Sequence, residues 1–396
     1  MKTGSKGSAR QTRICMLAPS HPAWDPRVVQ REARSLARLG FHVGVVAMHD
    51  HGKPFAEGLE LLPLPREPLT RWKRIKIMWR VYRLGLRFHA DVYHAHEVES
   101  LAVGLLLKWR TGAKLIFDAH ECFHFTAARF STGWRARVIR RLTTCLLRFM
   151  ARRAAHVIVV SFTNEEFYRD HCGCRNVTII HNSPPPAVFP CTNKPPDAVL
   201  TITHDGVLSM DRGMNVILEA LAIIRPQISA RLLVVGTVQE SARGAFSQQV
   251  RERGLEDAVQ LTGWIPYDQV GARLNEGAIG LVAMQPTPNN YGSLSNKLFN
   301  YMSTGQAVIG PIGSNTAEII RRANCGIAVD MTSPQALAEG LLGLLSDPAH
   351  CRELGMNGRR AVEEEYGWHH MERHLVEIYT SLGCPPPQND VAAVEH

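Results

Sequence analysis

Between Tyr291 and Gly310 the chain reads YGSLSNKLFNYMSTGQAVIG, and several of its side chains could do chemistry together. Ser293, Asn296 and Asn300 recur at i, i+3 and i+7, which is one face of a helix, and Lys297 flanks them. A hydroxyl, two amides and an ammonium on one face make a surface suited to a phosphate and a ribose. With Ser293 as N-cap, the free N–H groups of the first turn also favour an anion such as a diphosphate. The same residues fit a second account, a well-capped helix whose polar face is solvated.

Further polar groups stand where strands are expected to end. The loop PSHPAWDPR follows an apolar run from Arg13 to Ala18 and brings His21, Asp25 and Arg27 to the edge of a sheet. There they either line a ligand site or cap and anchor the next helix. Two more runs, DVYHAH and AKLIFDAH, each end in a His followed by a Glu: His96-Glu97 and His120-Glu121. A histidine at a strand end is often a structural hydrogen-bonder, but a matched pair points to a site. In the second half, Arg212-Gly213 precedes a helix expected from Asn215 to Ile224. An Arg there can clamp a diphosphate, and a Gly lets the backbone come close. Trp264 lies in the turn after another apolar run, where core packing would account for it.

The elements that must hold these groups alternate strand and helix throughout, which calls for parallel sheets. The first βαβ unit lacks G-x-G-x-x-G, so a dinucleotide fingerprint is absent. SPPPAVFPCTNKPPD, with six prolines, reads as a stiff connection between two domains. The expected layout is a disordered tail over 1–12, a first Rossmann-like domain over 13–183 and a linker over 184–198. A second Rossmann-like domain follows over 199–366, then a helix over 367–383 and a disordered tail over 384–396. A capping box of Asn315 and Glu318 is expected to open one of the later helices.

The 396 residues, 45% of them hydrophobic, suffice for two cores. The first apolar run is too short for a signal peptide, and no run approaches the ~20 residues of a membrane span. Nine cysteines without a CxxC pair suit a reduced, cytoplasmic compartment. His171, Cys172 and Cys174 lack a second ligand pair, so no metal is expected. The net charge of +9 is concentrated in two segments, 66–90 and 129–153, with eight Lys or Arg in each. In the first, Trp72, Ile75, Trp79, Tyr82 and Leu86 recur at helical spacing. Basic amphipathic helices of this kind suit an anionic membrane surface. They equally suit packing of the apolar stripe on the sheet. No nucleic-acid module accompanies the charge, so nucleic acid is not an expected partner.

SNKLFNYMSTGQAVIG, DPRVVQREA, DVYHAHEVESLAVG and KLIFDAHECF resemble segments of retaining glycosyltransferases of family 4 (glycosyl transferases group 1). The resemblance implies a GT-B fold: two Rossmann-like α/β domains with parallel sheets facing across a cleft that holds the active site, and a C-terminal helix, here 367–383, that crosses back to the first domain. It implies transfer of a sugar from a nucleoside diphosphate sugar to a hydroxyl, with no metal and no other cofactor. By it, His120 reaches the transferred sugar with Glu121 in support, and His21, Asp25, Arg27, His96 and Glu97 lie on the acceptor side. Arg212, Gly213, Ser293, Ser295, Asn296 and Lys297 hold the diphosphate and sugar, while Asn300 and Trp264 meet the ribose and base. The basic helices then suggest a lipid-linked or polysaccharide acceptor at the inner face of the cytoplasmic membrane. The sequence departs from the family at Asn300, where a glutamate usually bonds the ribose hydroxyls, and at Gly292. A neutral amide makes the weaker pair by roughly 1 kcal/mol or more. That departure leaves two alternatives, a nucleotide-sugar epimerase of the same fold and a non-catalytic homologue at the membrane.

Overall fold

The computed structural model describes residues 10–49, 55–65, 71–120, 123, 131–185, 187–192 and 200–387. Its chain divides into two compact units. One comprises the chain to Val160 with Asn164–Ile180 and the segment from Glu372, and the other comprises Ser161–Thr163 and His181–Met371.

The first unit is built on a seven-stranded sheet. Its strands are β1 (Arg13–Pro22), β2 (His42–Met48), β3 (Glu60–Leu64), β4 (Val92–Ala95), β5 (Lys114–Ala119), β6 (His156–Val159) and β7 (Val177–Ile179). They run in the order β3-β2-β1-β4-β5-β6-β7 and every pairing is parallel. β1 is buried from Ile14 to Pro19 and β2 from Val43 to Ala47, because a parallel sheet is covered on both faces. The helix expected at Val28 opens as a π-helical turn, Val28–Ala33, and continues as α1 (Arg34–Arg38). α2 (Arg71–Phe88), α3 (Val98–Thr111) and α4 (Gly133–Ala151) complete the layer used below.

β3 had not been expected. α2 also turns differently from the expected stripe: Ile77, Val81 and Phe88 pack inward, while Ile75 and Trp79 are 62% and 61% exposed. The Trp72 side chain lies outside the described residues.

The second unit holds a six-stranded parallel sheet. Its strands are β8 (Thr201–Asp205), β9 (Arg231–Val235), β10 (Val259–Leu261), β11 (Ile279–Leu281), β12 (Ala307–Pro311) and β13 (Gly326–Val329), in the order β10-β9-β8-β11-β12-β13. α5 (Met214–Ile224), α6 (Asn296–Ser303) and α7 (Asn315–Ala323) matter for the site. Leu281, Ala283, Ile309, Leu218 and Leu341 belong to one large core, and Phe189, Tyr301, Phe299 and Leu298 to a second on the opposite face.

Phe189 is fully buried in that second core. The proline-rich stretch is therefore partly domain structure rather than plain connection; residues 193–199 lie outside the described set. The C-terminal helix runs Trp368–Ser381, and its later part joins the first unit, where Tyr379 is buried. Cys384 is buried too, so folded chain extends past the point where a tail was expected. At the other end Gln11 Nε2 donates to the Gly40 carbonyl at 2.6 Å, while residues 1–9 and 388–396 lie outside the described set. Among the described residues no helix is long and apolar enough to cross a membrane.

Candidate active site

In an open parallel sheet, ligands bind beyond the carboxyl ends of the strands where the strand order reverses. In the first unit the reversal lies between β1 and β4, and the sequence puts His21, Asp25 and Arg27 after one and His96 and Glu97 after the other. His120 follows β5, the next strand along. The structure brings these groups together. His21 Nδ1 bonds Asp25 Oδ2 at 2.9 Å, and its Nε2 is 3.4 Å from Glu97 Oε1. His96 Nδ1 lies 3.2 Å from His120 Nε2, which meets Asp118 Oδ2 at 2.8 Å. The His21 and His120 rings touch edge to face, their centroids 5.1 Å apart.

Arg27 does not reach an open site. It is buried, and its guanidinium forks onto Asp118, donating from Nε and Nη2 at 2.9 Å each, with Nη1 on the Ile180 carbonyl at 3.0 Å. Glu32 Oε1 is 3.0 Å from the same Nε. Its expected place on the acceptor side is therefore corrected: Arg27 anchors the site from beneath. Asp25 takes both roles left open for it. It accepts the backbone N–H of Arg27 and of Val28 at 2.9 Å each, starting the helix, while holding His21.

Asp118, Glu32 and His94 were missed by sequence reasoning, because each sits inside a run that reads as core. Ligand atoms of Glu32, His94, His96 and Asp118 lie within 4.8 Å of one another. Arg27 already occupies both Asp118 oxygens and faces Glu32, so the guanidinium supplies the positive charge this cluster needs. Glu121 lies outside the described residues.

Burial governs the protonation here. It would raise Asp25, but the hydrogen bond from His21 and the His21 charge outweigh it and hold Asp25 well below the usual range. Burial pushes His96 down to about 4 and Glu97 up to about 7. Burial also lowers His120, against the pull of Asp118, so its ring is neutral at neutral pH. For Asp118 the Arg27 charge overcomes burial and keeps the carboxylate ionised. Glu32 is held well above its ordinary value by burial and the neighbouring Asp118 charge.

A cavity of about 340 Å³ opens beside this cluster. Its polar wall is His21, His96, Glu97 and His120, and Phe117 and Tyr168 form an apolar side.

In the second unit the order reverses between β8 and β11, which places the loops after Asp205 and after Leu281 at the switch point. Arg212 ends a short 3-10 turn in the first loop. Its Nη1 donates to the Val207 carbonyl at 3.0 Å, and it forms no ion pair among the described residues. Gly213 adopts φ 75°, and a Cβ there would come within 2.5 Å of the Ala283 carbonyl oxygen, so only glycine fits. This close packing on the chain leaving β11 draws the two loops together.

α6 carries Lys297 and Asn300 inward, onto the end of β8. Lys297 Nζ lies 2.9 Å from His204 Nε2, and Asn300 Nδ2 donates to Asp205 Oδ2 at 2.7 Å. Tyr301 pins the helix in this rotation. Its hydroxyl accepts from Asp205 N at 2.8 Å and donates to the Leu281 carbonyl at 3.1 Å. The ring lies flat against Gly280 of β11, where any Cβ would collide with it. Burial lowers Lys297 to about 7 despite the Asp205 charge.

Three expectations for this unit change. Ser293 is not the N-cap of α6: it follows a separate turn, Pro288–Gly292, and Ser295 holds the cap position without a side-chain bond. The cap of α6 thus falls two residues later than the spacing suggested. Asn296 is exposed while Lys297 and Asn300 are buried, so the face is neither the expected i, i+3, i+7 set nor a solvated one. Ser314 rather than Asn315 caps α7, with its Oγ accepting from Ala317 N at 3.2 Å, and Glu318 pairs with Arg321 and Arg322. Asn315 instead ties the loop by donating to the Gly292 carbonyl at 2.8 Å. Trp264 is 81% exposed, which removes core packing as its role.

Two parallel-sheet Rossmann-like domains in one chain, each gathering polar groups at its switch point, define the GT-B class. A sucrose-phosphate synthase from Thermosynechococcus elongatus has this fold: 19% identity, TM-score 0.78, covering 94% of this chain and 99% of that one. The family models "Glycosyltransferase Family 4" and "Glycosyl transferases group 1" match residues 26–184 and 200–347. The chain belongs to this glycosyltransferase family. A D-inositol 3-phosphate glycosyltransferase of Thermobispora bispora is 23% identical, covering 89% of this chain and 84% of that protein. A GDP-mannose:cellobiosyl-diphosphopolyprenol alpha-mannosyltransferase of Xanthomonas campestris is 24% identical over 78% of this chain and 79% of that protein.

Proposed function

We propose that this glycosyltransferase moves a sugar from a nucleoside diphosphate sugar to a hydroxyl of a lipid-linked or polysaccharide acceptor, with retention at the anomeric carbon and without a metal ion. The observation that carries the reading is the positive group at the second unit's switch point. Arg212, which forms no ion pair among the described residues, lies in the loop after β8, and Lys297 lies in the first turn of α6 after β11, near enough for the two charges to act on each other. Fixed cations and helix N–H groups stabilise a leaving diphosphate where its charge develops. Ser295 and Asn296 border that helix end, and exposed Trp264 offers a face to the base. In the first unit neutral His120, held by Asp118, would orient the sugar, and His21, His96 and Glu97 would line the acceptor's cavity.

A melting screen with UDP-, GDP-, ADP- and dTDP-sugars should find one that stabilises the protein. Transfer to a hydroxyl acceptor with the anomeric configuration kept, read by proton NMR, completes the test. Turnover of the nucleotide sugar with no acceptor present would mean an epimerase. No stabilisation by any of the four would mean a non-catalytic homologue.

Lys297 adds a linkage prediction. A diphosphate beside it raises its pKa from the free-state value of about 7. Affinity is then full below pH ~7 and falls as pH rises through the bound-state value. Calorimetry at pH 8 in buffers of different ionisation heat should show uptake of up to about one proton on donor binding. Zero uptake would remove Lys297 from the diphosphate.

The membrane part of the reading rests on α3 and α4. Trp109 is 83% exposed and Leu142 65%, with Trp134, Leu146 and Phe149 also outward. Arg135, Arg137, Arg140, Arg141 and Arg148 are exposed on α4 among these apolar groups. Apolar and cationic side chains on one exposed helix suit an anionic lipid surface. The protein should co-sediment with phosphatidylglycerol vesicles and not with phosphatidylcholine ones. The Leu142→Glu/Leu146→Glu variant should lose at least about tenfold in partitioning, since each buried leucine contributes roughly 1.5–3 kcal/mol. Equal sedimentation of wild type and variant would sink the proposal.

A further inference from the structure

Asp205 is an unusual carboxylate. It is the last residue of β8, at the switch point, and is only 9% exposed. It forms no ion pair among the described residues; burial raises its pKa, and the Lys297 charge, the Asn300 bond and the Arg212 charge oppose that rise. Its Oδ2 accepts from Asn300 Nδ2 at 2.7 Å and from no other side chain, and Oδ1 accepts no hydrogen bond among the described residues. A carboxylate this buried normally needs charge-assisted or multiple hydrogen bonds. Its backbone is also fixed, since Asp205 N donates to Tyr301 Oη.

The pairing settles how the Asn300 amide is turned. An ionised carboxylate can only accept, so the NH₂ end faces Asp205 and the amide carbonyl points away. Asp205 thus keeps acceptor capacity for two further donors, and Asn300 presents one acceptor next to it. Two vicinal hydroxyls are the donor pair that such a carboxylate can accept in bidentate fashion.

We propose that Asp205 supplies the carboxylate that accepts the ribose hydroxyls of the bound nucleotide, with Asn300 as its positioning residue. The carboxylate then stands at the end of β8, on the strand facing the helix that carries position 300. The proposal rests on the nucleotide-sugar reading of the second unit and goes further by giving it a named ribose ligand. It also reverses a simple expectation for position 300. A glutamate there would bring two carboxylates to hydrogen-bond distance of one another, so Asn300→Glu alone should lose donor affinity rather than gain it.

The test is calorimetric titration of the intact protein with UDP, GDP, ADP and dTDP, and with the 2′,3′-dideoxy form of the ribonucleotide that binds. Wild type should prefer the ribonucleotide by about tenfold or more, since two charge-assisted bonds are at stake. Asp205→Asn, which preserves shape, should cut that preference to about threefold or less, and Asn300→Glu should cut it as well. The double variant Asp205→Asn/Asn300→Glu again pairs one carboxylate with one amide and should recover most of the preference. The ratio of two ligands on the same protein does not depend on the fraction folded, so a destabilised variant still reports. A preference unchanged in Asp205→Asn, or a double variant no better than the singles, overturns the assignment while leaving nucleotide binding intact. Binding of dTDP alone overturns the assignment and leaves nucleotide binding intact, while no binding of any of the three ribonucleotides or of dTDP by wild type overturns the underlying reading together with it.

Discussion

Replacing Arg27 with methionine should destabilise the protein by about 3–5 kcal/mol, read by denaturant unfolding. The guanidinium makes two bonds of 2.9 Å to Asp118 and lies 3.0 Å from Glu32, and all three side chains are buried. Methionine matches much of the volume but leaves the Asp118 charge in a low-dielectric interior with no counter-charge. The loss of the partner, more than of the bond, sets the cost. Lysine at 27 should recover only part, since an ammonium keeps the charge and loses the fork. Removing the stranded charge as well, in Arg27→Met/Asp118→Asn/Glu32→Gln, should restore most of the stability of Arg27→Met. An Arg27→Met protein within ~0.5 kcal/mol of wild type would show that the network is not the anchor. His120 provides a second readout. With Asp118 no longer fixed, its ring loses the bond of 2.8 Å that orients it, so catalysis should fall even in the fraction that folds.

The same network shows where sequence reasoning stops. The alternation of strand and helix was legible, and so were the strand ends, because parallel strands read as apolar runs broken by polar loops. That placed His21, His96, His120 and Arg212 at strand ends, where ligands of parallel sheets bind. The partners of those residues were not legible. Asp118 and His94 lie inside β5 and β4, and Glu32 inside the first helix, where each looks like one polar residue in a core segment. Only the register of β1, β4 and β5 brings them together. In the second unit the helix period was right but its phase was not. Proline and asparagine residues made an extra turn, Pro288–Gly292, which moved the cap from Ser293 to Ser295 and turned Lys297 and Asn300 inward. Asn300 looked like a weakened ribose ligand because its neighbour in space, Asp205, is 95 residues away in sequence. Burial also decided Trp79 and Trp264, which a helical or turn pattern assigns equally well to core or surface.

Arg212→Ala should lower kcat by about 10²–10³ while the melting temperature stays at the wild-type value. The two halves of that expectation come from the same geometry. The guanidinium makes one bond, to the Val207 carbonyl, and pairs with no carboxylate among the described residues, so the fold asks little of it. Yet its loop is held tightly. Gly213 sits against the Ala283 carbonyl, and Met214 N bonds the Ser209 carbonyl at 3.1 Å, so the arginine is presented from a fixed turn. A preorganised cation that is not spent on a protein carboxylate among the described residues is what the leaving diphosphate of the proposed reaction requires, because a further negative charge grows on its terminal phosphate as the bond from that phosphate oxygen to the anomeric carbon breaks. The loss should therefore fall on kcat more than on donor KM. Lysine at 212 should restore part of kcat, keeping the charge but not the two-pronged contact. A kcat within about threefold of wild type in Arg212→Ala would mean that the charge on the departing diphosphate is met elsewhere, with Lys297 and the first turn of α6 the remaining candidates.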